Sequence, residues 1–294
     1  MPTPSPWEAS AVEAVGDGRY RAEIGEAWQL AVAPQGGIVA AVAARAMVAA
    51  LAAARPEAAV DQRLRSIHGV FASPVPCGPV EIDVRVLRAG RSASQVQATL
   101  HAPGADAGFT ALAIFGGTRP GFEFTELRYP EVPDPEGQRS FRDPLPPEAG
   151  AVEPIRFPFW ERVVEGRPAL GHAFWDPTPR TEAVAASWFR FDDPPIGADG
   201  RLDPLSQLVL VDVMPGAVFE RVSPTEDRWF APSADLTVHL FGAATPGWLL
   251  AHFTAHRAGE GWASVDAALW DPRGPHGPEL VAWATQQMLF TRLG

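Results

Sequence analysis

The sequence predicts an α+β fold in which antiparallel strands wrap one apolar helix, and in which this unit occurs twice. Three observations support the prediction. The stretch PQGGIVAAVAARAMVAALAAA, residues 34–54, is apolar almost all the way round and begins behind a Gly-Gly pair. Segments with strand-like alternation follow it, and the same order of helix and strands returns later in the chain. Because a helix that is apolar on most sides needs neighbours on most sides, we expect it to be buried.

The first half carries strand patterns on both sides of this helix. The clearest alternation lies in PVEIDVRVLRAG, where Val80, Ile82 and Val84 fall on one face and charged residues fall on the other. Pro74 and Pro76 end an earlier strand, since proline cannot donate to a ladder. The predicted strands of this half are residues 18–30, 63–75, 79–90, 92–104 and 108–116.

The middle of the chain, residues 118–153, is rich in Pro, Gly and charge, and we predict a linker there between domains at 1–117 and 154–294. In the second domain, Asp203 as N-cap and Pro204 at the first helical position begin another apolar helix. Pro215 and Gly216 are predicted to end it. Strands are expected at 155–166 and 183–193 before this helix, and four more follow it.

The two halves also share a short stretch of similar sequence. RVLRAGRSASQVQATLHAPG in the first half resembles FTAHRAGEGWASVDAALWDPRG in the second, so that Arg88-Ala89-Gly90 stands opposite Arg257-Ala258-Gly259. Each copy has a strand, a bend, a second strand and a turn. Because the match lies in register with two helix-and-strand halves, it indicates an internal duplication.

The length and composition of the chain limit the functions that it can have. The 294 residues suffice for about two domains of ordinary size. A net charge of −11 argues against nucleic acid as a partner, because phosphate binding needs clustered cations. Cys77 is the only cysteine, so an intrachain disulfide and a cysteine metal site are excluded. The first residues lack the pattern of a secretory signal, and residues 38–54 are too short and too weakly apolar for a membrane span. We therefore expect a cytoplasmic protein without a membrane partner.

A strand, a buried helix and a run of antiparallel strands, made twice, is the layout of a double hotdog, with two antiparallel sheets each wrapped around one helix. The sequence resembles the acyl-CoA thioesterase II family over most of its length. The resemblance lies in PQGGIVAAVAARAM, SIHGVFASPVPCGP and VRVLRAGRSAS of the first half, and in SADLTVHLFG, GWLLAHF and ELVAWATQQML of the second. It implies hydrolysis of acyl-CoA to free fatty acid and CoA without a metal or an organic cofactor.

The Gly-Gly pair gives a first candidate for the chemistry. The first amides of a helix point outward unpaired, the helix dipole favours negative charge there, and glycine lets a ligand approach the backbone closely. Gly36 and Gly37 are therefore candidate donors to the oxyanion that forms when water attacks a thioester. A plain glycine-rich turn into a helix is the alternative, and the sequence leaves both open.

The resemblance implies three further residues, since an aspartate, a hydroxyl-bearing residue and a glutamine hold the attacking water in this family. Asp235 in SADLTVHL matches the aspartate, and Gln286 in VAWATQQML matches the glutamine. Near the family's Ser or Thr position the chain departs from the pattern, and Thr254 and His256 are both candidates. We expect Asp235 to face the tip of the first helix across one shared cleft.

Other functions stay open at this point. A hotdog hydratase or dehydratase is disfavoured, because Ala72 replaces the glycine expected four residues after His68. A non-catalytic acyl-CoA-binding module is favoured by the irregular third position. The histidines at 239, 252 and 256 lack metal-ligand spacing, so no metal is predicted. The sequence does not distinguish CoA from protein-bound pantetheine. Hotdog sheets often associate by their edges, so a homodimer is among the expected assemblies.

Overall fold

The computed structural model describes residues 4–150, 156–173, 175–176, 178, 181–222 and 229–292. The first half forms three helices and eight strands. The helices are α1 (Pro6–Ala9), α2 (Gly36–Ala54) and α3 (Pro56–Asp61). The strands are β1 (Glu13–Gly16), β2 (Arg19–Ile24), β3 (Gln29–Leu30), β4 (Ala33–Pro34), β5 (Arg63–Phe71), β6 (Gly78–Ala89), β7 (Ala93–His101) and β8 (Phe109–Gly116).

The second half has the same composition of elements in its described residues. Its helices are α4 (Pro158–Arg162), α5 (Gln207–Val211) and α6 (Pro215–Phe219). Its strands are β9 (Val164–Leu170), β10 (Val184–Phe191), β11 (Trp229–Phe230), β12 (Asp235–Leu240), β13 (Leu249–Gly259), β14 (Trp262–Asp271), β15 (Glu279–Leu289) and β16 (Thr291–Arg292). Short 3₁₀ turns occupy Glu26–Trp28, Pro135–Gly137, Pro147–Ala149 and Pro204–Ser206.

The main sheet is continuous across both halves, so the prediction of two separate sheets is wrong. Twelve strands lie in the order β1-β2-β6-β7-β8-β5-β12-β15-β14-β13-β10-β9, with antiparallel neighbours. The halves join where β5 pairs with β12, from Asp235 opposite Val70 to His239 opposite Ser66. Joining two edges satisfies backbone groups that separate sheets would leave unpaired. The predicted α+β class is confirmed.

The strand order reads the same from either edge of the sheet, with β5 corresponding to β12 and β6–β7 to β13–β14. The two similar sequence stretches lie in corresponding hairpins, β6–β7 and β13–β14. A bulge falls between Val86 and Arg88 in one hairpin and between Ala255 and Arg257 in the other, at the same place relative to Arg-Ala-Gly. The face of the sheet that packs against α2 and α5 is called the inner face below, and the opposite face the outer face.

Helix α2 lies against the inner face, as its composition predicts. Most of its residues are buried, from Gly37 to Leu51, against core side chains of β6, β7 and β8. By length and composition, with a mean hydropathy of 2.0, this helix alone among the described residues is long and apolar enough to cross a membrane. In the fold, two thirds of that stretch is buried inside the protein (67%). Many of its side chains are alanines, which let the sheet and a second helix approach closely.

The second apolar helix is broken, which corrects the prediction of one helix ending at Pro215. Asp203 caps the first turn through its side chain, which accepts the amide of Leu205 at 3.0 Å. Helix α5 then ends at Val211, and Asp212 leaves the helical conformation with φ −88° and ψ 53°. Pro215 does not stop a helix but opens α6, since its fixed φ suits a first helical position. The break exposes the end of α5 to other groups.

The predicted strand at 155–166 is wrong for residues 156–163, and only its end, residues 164–166, lies in a strand. Pro158 begins the short helix α4, and β9 starts only at Val164. Residue 155 lies outside the described residues. The proline explains the difference, because it pre-sets a helical φ and lacks an amide for a ladder.

The described part of the 118–153 segment, residues 118–150, packs on the second half. It has no strand or α-helix, but Tyr129 and Val132 pack on the outer face against a cluster that contains Trp188 and Trp270. The indole of Trp188 donates to the carbonyl of Pro133 at 2.9 Å. A pocket of about 1040 Å³ is lined by residues 122–127 and by Tyr129, Phe241 and Trp270, among others. Residues 129–133 therefore cover the part of the outer face around Trp188 and Trp270.

Candidate active site

The site is built around Asp212, at the break between α5 and α6. Its carboxylate meets the beginning of α2, because the two helices lie side by side and antiparallel, with Gly37 against Leu208 and Val209 and with Arg45 near Asp203. Oδ2 accepts the backbone amide of Gly37 at 2.7 Å and the side-chain amide of Gln35 at 3.0 Å. Oδ1 accepts the side-chain amide of Gln286 at 2.5 Å. Asp212 is 6% exposed, so a buried carboxylate is held by donors from both halves of the chain.

Burial raises the pKa of Asp212 from an ordinary 3.8 to about 7. Loss of water disfavours the charged form, and this effect exceeds the opposite one of its hydrogen bonds. Those bonds come from the Gln286 amide and from the backbone amides of Gly37 and Gly36. A carboxylate that titrates near neutral pH can accept a proton from water and release it again, which is what a general base requires.

Gln286 and Ser233 complete the cluster. Gln286 lies on the inner face of β15 and is 1% exposed, and its Nε2 atom donates to Ser233 Oγ at 2.7 Å as well as to Asp212. Its Oε1 atom is buried and has no hydrogen-bond partner among the described residues. An unpartnered buried acceptor is costly, and a bound water would satisfy it. The arrangement thus combines a carboxylate, a hydroxyl, an amide and an open acceptor.

The Gly-Gly pair allows two close approaches. A Cβ on Gly37 would lie 2.3 Å from the carbonyl oxygen of Leu208 and 2.6 Å from Cα of Val209, so α5 rests directly on the backbone of α2. A Cβ on Gly36 would lie 2.7 Å from Oδ2 of Asp212. Any side chain at either position would separate the helix tip from the carboxylate.

The structure corrects the expected use of these glycines. Their amides lie at the site, but the Gly37 amide donates to Asp212 Oδ2 at 2.7 Å, the Gly36 amide faces the same carboxylate, and the next amide, of Ile38, is capped by Gln35 Oε1 at 3.1 Å. The Gly37 amide is therefore committed to an internal carboxylate and is not open to a thioester oxygen. The positive end of the α2 dipole still lies at this point and favours negative charge there.

Asp235 does not belong to the cluster, which corrects the assignment of the aspartate. Two residues after it on β12, Thr237 pairs with Thr285, the neighbour of Gln286 on β15. Because side chains alternate along a strand, Asp235 and Thr237 point to the outer face while Gln286 points inward. The Asp235 carboxylate instead accepts the backbone amide of Gln287 at 2.6 Å. The carboxylate that faces the helix tip comes from the second half, as expected, but it is Asp212.

Thr254 and His256 are also outside the cluster. Thr254 pairs with Asp266, and Asp266 pairs with Thr285, so all three lie on the outer face. His256 sits at the β13 bulge, and its Nε2 atom contacts Asp266 Oδ2 at 2.9 Å on that same side. The hydroxyl of the cluster comes instead from Ser233, two residues before Asp235.

Sequence reasoning missed Asp212, Ser233 and Gln35, although signals for the first two were present. Asp212 interrupts the apolar run LVLVDVM, and an acid in such a run needs a specific partner. Ser233 stands in the same SADL segment as Asp235. Gln35 carried no signal beyond its place before the glycines, because its role depends on a helix more than 170 residues away.

The corresponding positions of the first half lack this chemistry. Val96 on β7 pairs with Ala113, whereas the corresponding Val265 on β14 pairs with Gln286. Two residues after Ala113 on β8, Phe115 pairs with Leu64. Two residues after Gln286 on β15, Met288 pairs instead with Ser233. Ala113 therefore replaces the glutamine and Leu64 the serine, so the described residues build this cluster once.

The first-half helix carries an arginine in place of an acid. Arg45 is the one charged residue of α2 and stands about as far from its N-cap as Asp212 stands from Asp203. Its guanidinium donates to the carbonyls of Trp7 and Ser10 at 3.1 and 2.8 Å and lies over the Trp7 ring. Burial lowers its pKa, and the charge of Asp203 opposes that shift. The N-terminal segment thus fills the place that the cluster occupies in the second half.

Within the described ranges, no group of three or more His, Cys, Asp or Glu side chains is arranged to hold a metal ion.

The sheet and its central helices place the protein in the hotdog-fold class. The N-terminal domain of the acyl-CoA thioesterase family matches residues 24–116, and the C-terminal domain of that family matches residues 128–290. These two matches span most of the chain, and the chain belongs to the acyl-CoA thioesterase II family. A comparison with curated protein sequences returned no significant match.

Solved structures share the fold over the whole chain. A proposed thioesterase II from Thermobifida fusca is 25% identical, with a TM-score of 0.77 over 99% of both chains. A hot dog protein of unknown function from Alicyclobacillus acidocaldarius is 23% identical, with a TM-score of 0.77 over 99% of this chain and 100% of its own. TesB2 from Mycobacterium marinum, an acyl-CoA thioesterase II, is 20% identical, with a TM-score of 0.70 over 99% of both. The hotdog fold expected from the sequence is confirmed.

Proposed function

We propose that this protein hydrolyses acyl-CoA thioesters to free fatty acid and CoA, with a water molecule activated by Asp212. The observation that carries the proposal is the buried Asp212 carboxylate, held between the tip of α2 and Gln286 with a pKa of about 7. Membership of the acyl-CoA thioesterase II family supports the same reaction.

The roles of the side chains follow from their contacts. A water bound beside Oδ1 of Asp212 can donate to the unpartnered Oε1 of Gln286, while Ser233 holds the amide of Gln286 from the other side. As the water oxygen attacks the thioester carbon, Asp212 takes the water proton. The carbon–sulfur bond then breaks, and the leaving CoA thiolate receives that proton. The α2 dipole lowers the energy of the oxyanion between these steps.

Ser233 also bears on the alternative of a non-catalytic acyl-CoA-binding module. That alternative was favoured by the irregular third position near Thr254 and His256, and Ser233 supplies a hydroxyl within 2.7 Å of the Gln286 amide. Hydrolysis is therefore favoured over binding alone.

We further propose a double hotdog divided at residues 118–153, because the strand order reads the same from both edges and one family domain matches each half. A homodimer and a cytoplasmic location stay predictions.

A thiol-trapping dye tests the function. Release of CoA is measured over acyl-CoAs of several chain lengths, with an acyl carrier protein thioester in parallel to identify the carrier. Asp212→Asn is expected to lower kcat by at least about 100-fold, because the proton acceptor is lost. Ser233→Ala is expected to lower it about tenfold, whereas Ser233→Thr retains activity. Binding of every acyl-CoA without turnover by the wild type would instead favour the binding module.

A further inference from the structure

Gln35 connects both helix ends at the site through one side chain. Its Oε1 atom accepts the amide of Ile38 at 3.1 Å, in the manner of an N-cap. Its Nε2 atom lies 3.0 Å from the carbonyl oxygen of Val209, 2.8 Å from that of Asp212 and 3.0 Å from Oδ2 of Asp212. The residue is 1% exposed, so these contacts are shielded from bulk solvent.

These contacts give hydrogen-bond partners to backbone groups at the two helix ends. The last carbonyls of a helix and its first amides lack intrahelical partners, and burying them unpaired is costly. The break at Asp212 leaves the carbonyls of Val209 and Asp212 without such partners inside the core. The Gln35 amide has two hydrogens for three acceptors, so its position is defined by all of them together.

We propose that Gln35 is a positioning residue for Asp212: it fixes Oδ2 and the end of α5, so that Oδ1 is presented to Gln286 and to the attacking water. The inference rests on the proposed function for its catalytic meaning. Three acceptors determine the place of the amide, and the amide in turn determines the rotation of the carboxylate. Gln35 touches no reacting atom itself, and it acts through Asp212.

Gln35→Met is the decisive variant, since methionine keeps the length and flexibility of the side chain but donates no hydrogen bond. Gln207→Met is its matched control. Gln207 is also a fully buried glutamine of this helix pair, and its Nε2 atom donates to the carbonyl of Gly242 at 2.7 Å, away from Asp212. Both variants lose one buried amide, so a general loss of packing affects both alike.

The two variants are compared by kcat, KM and the pH dependence of kcat, and by a ¹³C NMR titration of the Asp212 carboxyl. For Gln35→Met we expect kcat to fall about 10- to 100-fold with KM within about twofold, because misplacement of a base acts on the chemical step. The acidic limb of the pH profile of kcat and the midpoint of the Asp212 NMR titration should both move up by about one pH unit, because a hydrogen-bond donor to the ionised carboxylate is lost. Gln207→Met should leave the limb and the midpoint in place.

Gln35→Glu gives a second measurement if Gln35→Met does not fold. It keeps the acceptor for Ile38 but sets a second carboxylate beside Asp212, so the Asp212 midpoint should rise further. Equal kcat values and unshifted titrations in the Gln35 and Gln207 variants would overturn the proposal and leave Gln35 a packing residue. If the wild type hydrolyses no acyl-CoA, the proposed function fails, and the NMR titration still decides whether Gln35 governs Asp212.

Discussion

The side-chain amide of Gln286 donates a 2.5 Å hydrogen bond to Oδ1 of Asp212, a residue 74 positions earlier in the chain. The bond joins the inner face of β15 to the break between two helices. On the other side of the same carboxylate stands the tip of α2, which belongs to the first half. The site therefore depends on both halves, although the carboxylate, the amide and the hydroxyl all come from the second.

The face of the sheet on which a polar side chain lies determines whether that side chain can take part in hydrolysis. Asp235→Asn, Thr254→Val and His256→Asn should each keep kcat within about twofold of wild type, because these side chains lie on the outer face. CoA release by each purified variant checks this. A loss from Asp235→Asn as large as that from Asp212→Asn would contradict the inner-face assignment.

The activity should depend on pH through Asp212. Its pKa of about 7 means that the carboxylate is protonated in acid and ionised in base. Since only the ionised form can take the water proton, kcat should fall about tenfold per pH unit well below pH 7 and level off well above it. Single-turnover rates across this range, with buffers of constant ionic strength, measure the midpoint. A profile that is flat from pH 5 to 9 is the contrary result.

The same group should affect stability with the opposite sign. Between pH 3.8 and about pH 7 the native Asp212 holds a proton that the unfolded chain releases. The free energy of unfolding from this group therefore falls as pH rises through that window, by at most about 1.4 kcal/mol per pH unit. Asp212→Asn should flatten this part of the curve. Urea titrations of both proteins at several pH values test it, and parallel curves would count against a raised pKa.

Close helix contact should make Gly37 intolerant of a methyl group. Gly37→Ala would place a Cβ 2.3 Å from the backbone of α5, and we expect a loss of at least about 2 kcal/mol in the free energy of unfolding. Gly216→Ala is the control, because no atom lies within 4 Å of its added Cβ. There, in helix α6, alanine should be neutral or stabilising by up to about 1 kcal/mol. Equal stabilities of the two variants would argue against the contact.

One cluster per chain predicts one substrate per chain. Ala113 and Leu64 hold the first-half positions of the glutamine and the serine, and the N-terminal segment packs on Arg45 nearby. Calorimetric titration with a non-hydrolysable thioether analogue of acyl-CoA should give a stoichiometry of one, and Asp212→Asn should keep it. Two equal sites per chain would show that the first half binds substrate as well.

The amino-acid sequence by itself determined the buried apolar helix, the repeated order of strands and the close approach at Gly36 and Gly37, because these follow from local patterns of apolar residues, turns and glycine. It also indicated the family. Alternation showed that Gln286 and Gln287 point to opposite faces, but not which face would be inside.

Only the tertiary structure decided which aspartate enters the site. Asp212 and Asp235 both stand among apolar residues, and no local pattern separates them. The choice arises because α2 and α5 pack side by side and antiparallel on one face of the sheet, so that a helix break at Asp212 is buried against Gln35 and Gln286 while Asp235 is left on the other face. Such contacts join residues that are far apart in the chain, so they cannot be predicted from the pattern of residues that are adjacent in the sequence.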